Sequence, residues 1–273
     1  MIGVRLHDVG NFDIDNIGSE VIKRDFTTIQ LAFQKAIKGF KYKEGILNQG
    51  LIRRINKSLK DNGVSVAVLG CYIDPAAETQ EKRDAELVKF KEHLRYARQL
   101  DAYVVGTETG HMKECFTREE QFKYLINFMQ DALKVAESFG VFIALEAVSI
   151  DTINNEYMMK AALDILDSPN LVVIFDPVNM LDENNYKNQR EIFTRVFEFY
   201  GNKIEIMHAK DFKMGEDGKL IKTLPAGTGD LDYKFILKKM LDYKPDIDIL
   251  LENATEETFH SSKRYLEKII EDY

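Results

Sequence analysis

Short apolar runs of strand length recur eight times along this chain of 273 residues, and helical patterns separate them. The runs are rich in β-branched residues and almost continuously apolar, as is typical of strands buried on both faces of a parallel sheet. They are IGVRL from Ile2, TIQLAF from Thr28, VSVAVLG from Val64, AYVVGT from Ala102, VFIALE from Val141, LVVIFD from Leu171, KIEIMH from Lys203 and IDILLE from Ile247. Eight such units without a linker, in a chain of about the usual length, predict one (β/α)8 TIM barrel domain over residues 1–273.

Local signals support this alternation. Thr117 followed by Glu120 is a capping box at the start of a helix. Gly63, Gly140 and Gly201 each precede a predicted strand, which is typical of a left-handed residue that ends a helix. A doubly wound open sheet would need a glycine-rich phosphate turn after its first strand, and LHDVGNFD is not one. The longest stretch without periodicity, residues 211–230, is predicted to be an active-site loop.

Composition narrows the class of protein. The net charge of −8 argues against a nucleic-acid partner, and 45% hydrophobic residues are enough for a large core. No apolar run approaches the roughly 18 residues of a membrane span, and the first residues lack the features of a signal peptide. Two cysteines, Cys71 and Cys115, are too few for a disulfide framework. The expected location is the cytoplasm, with no membrane partner.

Metal-ligand residue types stand at the ends of the last four predicted strands. These residues are Glu146, Asp176, His208 and Glu252. Because the carboxyl ends of barrel strands converge, we expect the four side chains to meet at one rim. Three carboxylates and an imidazole suit Mn²⁺, Mg²⁺, Co²⁺ or Zn²⁺, and two glutamates can also transfer protons.

The motifs around these residues resemble the xylose isomerase-like superfamily of sugar isomerases and epimerases, which includes ketose 3-epimerases, hydroxypyruvate isomerase and inosose dehydratase. The matching segments are ALEAV at 144–148, FDPVN at 175–179, HAKD at 208–211, PAGTGDLD at 225–232 and LLEN at 250–253. The resemblance implies that the four residues bind one divalent ion, with Mn²⁺ ranked first. It also implies that Glu146 and Glu252 act as acid and base on a small carbohydrate, and that the chain forms a homodimer or homotetramer.

The implied activity is a metal-dependent sugar or sugar-phosphate isomerase or epimerase that transfers a proton next to a carbonyl through a cis-enediolate. Five further polar residues on the same rim are candidates for substrate binding, and each has a structural role as its alternative. They are His7 at the end of the first strand, Glu108 and His111 after the fourth, Asn179 three residues after Asp176, and Lys210 two residues after His208. Lys210 is expected to point the same way as His208, because strand side chains alternate with period two.

Three other functions stay open from the sequence. A lyase similar to inosose dehydratase would use the same metal and base to eliminate water. A phosphodiesterase similar to endonuclease IV shares the barrel, but its zinc cluster needs more ligands than a chain with five histidines provides readily. A barrel that binds sugar without catalysis is the remaining alternative.

Overall fold

The computed structural model describes residues 1–273, and eight of its strands form a closed parallel barrel. The chain has nine strands, of which all but β8 belong to the barrel. They are β1 (Ile2–Arg5), β2 (Thr28–Leu31), β3 (Ser65–Gly70), β4 (Val104–Glu108), β5 (Phe142–Glu146), β6 (Leu171–Phe175), β7 (Ile204–Met214), β8 (Leu220–Pro225) and β9 (Asp248–Leu251). Neighbouring strands pair in parallel from β1 to β7, and β7 then pairs with β9, which pairs with β1. The predicted (β/α)8 TIM barrel is confirmed, since the open doubly wound sheet would leave two free edges.

Helices connect the strands and cover the outside of the barrel. They are α1 (Leu6–Val9), α2 (Ile17–Ile22), α3 (Phe33–Ala36), α4 (Gln49–Lys60), α5 (Gln80–Ala97), α6 (Arg118–Phe139), α7 (Glu156–Leu166), α8 (Gln189–Tyr200), α9 (Tyr233–Tyr243) and α10 (Phe259–Glu271). None of them has the length and apolar character that a membrane span requires.

The predicted helix boundaries hold, and one predicted backbone conformation does not. The capping box at Thr117 and Glu120 opens α6, and Gly140 ends it with φ 64°. Gly63 also has positive φ, at 66°. Gly201 follows the last residue of α8 and precedes β7 as predicted, but the expected left-handed conformation is wrong, because its φ is −53°. A Cβ there would lie 3.0 Å from the Tyr243 ring, so close packing, not a left-handed turn, favours glycine at this position.

Residues 211–230 were predicted as a loop, and the structure corrects this over residues 211–225. Strand β7 continues beyond the barrel to Met214, and β8 pairs with it in an antiparallel hairpin. The turn between them includes Gly218 with φ 77°, a conformation that glycine adopts without strain. This hairpin therefore extends the barrel wall above the strand ends of β7 and β9.

Small and branched side chains fill the barrel interior. Ala67, Val68, Val104, Ala144, Val172, Ile174, Ile206 and Leu250 form this inner core. A Cβ at Gly106 would lie 2.6 Å from Ile174 Cδ1, so the interior has no room for one there. Because strand side chains alternate, the residues two positions beyond this inner core also point into the barrel, and the packed inner core closes the space below them.

Candidate metal centre

The four predicted ligands converge above the inner core. Glu146 follows Ala144 by two residues, Asp176 follows Ile174, His208 follows Ile206 and Glu252 follows Leu250, so all four continue the inward face. One ligand atom from each lies within 4.8 Å of the ligand atoms of the other three. All four residues are at most 5% exposed. The arrangement gathers three carboxylates and one imidazole in a space from which water is largely excluded.

The orientation of His208 is set by Gln30 on β2. Gln30 Nε2 donates to the Tyr72 hydroxyl at 3.2 Å, which directs Gln30 Oε1 towards His208 Nε2 at 2.8 Å. His208 Nε2–H therefore donates to Gln30, and Nδ1 is directed at the carboxylates. Nδ1 lies 3.4 Å from Glu146 Oε2 and 3.3 Å from Glu252 Oε2. A hydrogen-bonded second nitrogen is the usual way a protein orients a metal-binding imidazole.

Three buried atoms in this group have no hydrogen-bond partner. They are Asp176 Oδ2, His208 Nδ1 and Glu252 Oε2. Leaving a buried polar atom unpaired costs about 1–3 kcal/mol, so three together at one point are unusual in a folded protein. A divalent cation would satisfy all three at once, and oxygen and imidazole ligands suit such an ion. The donor set therefore fits one divalent metal ion, whose identity the ligand types leave open.

Asn179 and Lys210 hold the carboxylate oxygens that face away from these atoms. The Asn179 backbone N–H donates to Asp176 Oδ1 at 3.0 Å, and its side-chain Nδ2 donates to Glu146 Oε1 at 2.6 Å. Lys210 Nζ donates to Asn179 Oδ1 and to Glu252 Oε1, both at 2.7 Å. Lys210 Nζ also lies 3.1 Å from Asp176 Oδ2, outside hydrogen-bond geometry. Each carboxylate is thus fixed through one oxygen, and its other oxygen stays available to bind a metal ion.

Comparisons with known proteins agree with this geometry. The family model described as xylose isomerase-like TIM barrel matches residues 20–269. The chain belongs to this family. Among curated proteins, none matches the sequence.

Solved structures share the fold of this family member at low sequence identity. A D-tagatose 3-epimerase-like protein has a TM-score of 0.79 and 17% identity, covering 99% of this chain and 97% of its own. D-psicose 3-epimerase from Clostridium cellulolyticum H10, solved with D-tagatose, has a TM-score of 0.74 and 12% identity, covering 98% and 99%. The IOLI protein with a bound zinc atom has a TM-score of 0.76 and 14% identity, covering 100% and 98%.

Electrostatics in this xylose isomerase-like barrel favour charge on Glu252 and His208 and disfavour it on Asp176. Burial raises the pKa of Asp176 to about 6, against the opposing charge of Lys210. Burial acts the same way on Glu252, but Lys210, His208 and Arg5 outweigh it and hold the Glu252 pKa well below its usual range. Burial disfavours a charged His208, yet Glu146 and Glu252 raise its pKa to about 10. Because metal ligands must be deprotonated, a bound divalent ion would take the place of that proton.

Arg5 is a member of the site that sequence reasoning missed. Its guanidinium lies 2.9 Å from Glu252 Oε1, and it donates to Asp8 Oδ2 and Oδ1 at 2.9 and 3.1 Å. Asp8 in turn accepts from the Asn253 backbone N–H at 2.8 Å, next to Glu252. The alternation of side chains along a strand could have identified Arg5 and Gln30. Arg5 lies two residues after the inward Gly3, and Gln30 lies two residues after the inward Thr28.

The polar residues that follow or end the first four strands have fewer hydrogen-bond partners than the donors of the last four barrel strands. His7 lies in α1, two residues beyond β1, so the prediction that it ends the strand is corrected. Both of its ring nitrogens lack a partner, and burial followed by the Arg5 charge lowers its pKa to about 4. Glu108 ends β4 in register with Glu146. Burial, then the charges of Glu146 and Asp151, raises the Glu108 pKa to about 7.

His111 does not join the four donors. Its side chain is 69% exposed, and Nδ1 lies 2.6 Å from Asp151 Oδ1. Asp151 Oδ2 accepts from the Thr109 backbone N–H at 3.1 Å, which ties this pair to the loop after β4. His111 therefore lies on the outer rim, and its role in substrate binding stays a prediction.

Proposed function

We propose that this chain is a divalent-metal-dependent sugar or sugar-phosphate isomerase or epimerase. The observation that supports this most strongly is the buried group of Glu146, Asp176, His208 and Glu252, in which three ligand atoms lack a hydrogen-bond partner. The likeness to structures named as ketose epimerases supports the same class of reaction.

In this proposal the four side chains hold one divalent ion, with Mn²⁺ first and Mg²⁺, Co²⁺ or Zn²⁺ as alternatives. When bound, that ion would supply Lewis-acid polarisation of a substrate carbonyl and would stabilise negative charge on its oxygen. The chain's own contribution is to orient the ligands through Gln30, Asn179 and Lys210, and to exclude bulk water from the reacting carbon.

Glu146 and Glu252 are the proposed acid and base. They come from β5 and β9, which β6 and β7 separate, so their carboxylates approach the space between them from different directions. One carboxylate accepts the carbon-bound proton next to the carbonyl, which gives a cis-enediolate. Return of a proton to the same carbon from the other side gives an epimer, and return to the neighbouring carbon gives an aldose–ketose isomer.

Substrate hydroxyls are the proposed ligands of the remaining rim residues. Both ring nitrogens of His7 lack a protein partner, so a hydroxyl would satisfy them. Glu108 ends β4 in register with Glu146 and would contact a hydroxyl near the reacting carbon. Asn179 and Lys210 hold ligand oxygens, and in this proposal they also contact the sugar close to the reacting carbon. His111 would contact a longer substrate from the outer rim.

Solvent deuterium exchange tests this function. The full chain with Mn²⁺ is incubated in D₂O with a panel of ketoses and ketose phosphates, and NMR follows deuterium at the carbons next to the carbonyl. We expect incorporation with at least one sugar and none after EDTA treatment. No incorporation with any sugar would contradict the proposal, and an unsaturated product formed by loss of water would favour the lyase.

A further inference from the structure

Lys35 is a cation at the barrel mouth, the open end where the strands finish, that has no counter-ion in the protein. The other two cations beside the donors are paired, Arg5 with Asp8 and Glu252, and Lys210 with Glu252 and Asp176. No carboxylate oxygen lies within 4.0 Å of Lys35 Nζ, and no hydrogen bond engages it. Its contact is the face of the Tyr72 ring, with Nζ 3.5 Å from the ring centroid.

The position of Tyr72 places this ammonium close to the proposed reaction centre. The Tyr72 hydroxyl accepts from Gln30, and Gln30 in turn contacts His208. Burial lowers the pKa of Lys35, and the charge of Glu108 opposes that shift. The Lys35 side chain is exposed overall, so a ligand in the mouth can reach its ammonium, and the contact with the Tyr72 ring contributes only about 0.5–1 kcal/mol.

His7 provides a second, independent observation beside Lys35. Its side chain is 9% exposed, and neither ring nitrogen has a hydrogen-bond partner. His7 lies in α1 and Lys35 in α3, and these two helices contact each other. A neutral imidazole retains one N–H to donate, and in this structure no protein acceptor uses it.

Lys222 is another lysine near the donor group, but the protein provides partners for it. Its Nζ donates to Ser149 Oγ at 2.8 Å. Burial lowers the pKa of Lys222, and the charges of Glu183, Asp182 and Asp176 oppose that shift. Lys222 is therefore the comparison for Lys35, which has no such partners.

We propose that Lys35, His7 and Tyr72 form a subsite for an anionic substituent, a carboxylate or a phosphate, on the sugar substrate. This inference rests on the proposed function, because it assigns a substrate class to the same site. The anion accepts from the Lys35 ammonium and the His7 N–H, and Tyr72 holds the ammonium in place. A neutral hydroxyl would leave the ammonium charge uncompensated, so the subsite favours an anion.

Calorimetric titration of the Mg²⁺-loaded full chain tests the subsite. The ligands are D-fructose, D-fructose 6-phosphate and D-fructuronate, which differ in the presence and kind of anionic group. We expect one of the two anionic sugars to bind at least about tenfold more tightly than D-fructose, and the stronger one identifies the anion. Lys35→Gln should remove that advantage, so that the anionic sugar binds no more tightly than D-fructose. Lys35→Arg should keep it, and Lys38→Gln, at an exposed lysine nearby, should have no effect.

Two results would overturn the inference. One is equal binding of all three sugars, and the other is loss of the anion preference in Lys222→Gln but not in Lys35→Gln. Deuterium exchange on the same samples separates this inference from the proposed function. If deuterium exchange occurs but the protein shows no preference for an anionic sugar, only the subsite is contradicted. If the protein prefers an anionic sugar through Lys35 but no deuterium exchange occurs, only the proposed reaction is contradicted. If none of the three sugars binds, the subsite is wrong, and deuterium exchange with the ketose panel decides the proposed function.

Discussion

The two halves of the barrel differ in how completely the protein satisfies its own polar groups. At the ends of β5, β6, β7 and β9, each donor side chain has one atom held by Asn179, Lys210 or Gln30 and another left open towards its neighbours. At the ends of β1 to β4, His7, Lys35 and Glu108 have few or no partners. The difference indicates that the protein orients the donor side chains of the second half before any ligand binds, while polar groups of the first half stay free to contact a ligand.

Glu146→Gln should have the largest effect, because an amide cannot accept the carbon-bound proton. We expect a loss of about 10³-fold or more in deuterium exchange. The side chain keeps its shape and can still accept from Asn179 Nδ2. Glu108→Gln is the matched change in the first half and should cost about tenfold at most. A larger loss in Glu108→Gln than in Glu146→Gln would reverse the assignment of the two halves.

Lys210→Met should destabilise the metal-free protein by about 3 kcal/mol, because it leaves buried Asp176 and Glu252 without their cation. Urea unfolding in EDTA measures this change. Lys35→Met is the matched substitution in the first half, where the lysine is exposed and has no ion pair, and should cost under about 1 kcal/mol. Equal losses in the two variants would show that the halves do not differ as described.

Divalent metal should stabilise the protein through the second half alone. At a free Mn²⁺ concentration of about 100 times its dissociation constant, we expect about 2.7 kcal/mol of added stability, or roughly 5 °C in Tm. His208→Ala should abolish the gain. His111→Ala, which changes an exposed imidazole on the outer rim, should retain it, and the reverse pattern would place the ion elsewhere.

Glu108→Gln should remove a pH dependence that belongs to the first half. Because the pKa of Glu108 is raised to about 7, the folded protein binds more protons than the unfolded chain between about pH 4.5 and 7. Stability therefore falls as pH rises through that window. In EDTA at pH 8, Glu108→Gln should be more stable than the wild type by about 2 kcal/mol, with no difference at pH 4.5. If the free energy of unfolding changed with pH in the same way in both proteins, this prediction would be contradicted.

The sequence predicted the second half of the site better than the first for a physical reason. Glu146, Asp176 and Glu252 stand at the ends of apolar runs, where metal-ligand residue types could be recognised. Arg5 and Gln30 lie within the runs IGVRL and TIQLAF, where one polar residue does not reveal which face is inward. Lys35 depends on the path of a loop, which sequence periodicity does not describe.

The hairpin of β7 and β8 escaped prediction because it lies outside the barrel. Strand β8 alternates between exposed and partly buried residues and is buried on neither face, so it lacks the apolar character of the barrel strands. The turn residues Gly215 and Gly218 marked a break in the chain, and the pairing across it needed the three-dimensional path of β7. The wrong conformation predicted for Gly201 has a similar origin, since its neighbour Tyr243 lies far along the chain.

Anomalous diffraction from crystals grown with Mn²⁺ would locate the ion relative to the four donor residues. We expect one peak per chain, within about 2.0–2.3 Å of ligand atoms of Glu146, Asp176, His208 and Glu252. His208→Ala crystals should lose that peak. A peak at His111 and Asp151, or full deuterium exchange by a protein whose crystals show no peak at the four donors, would contradict this prediction.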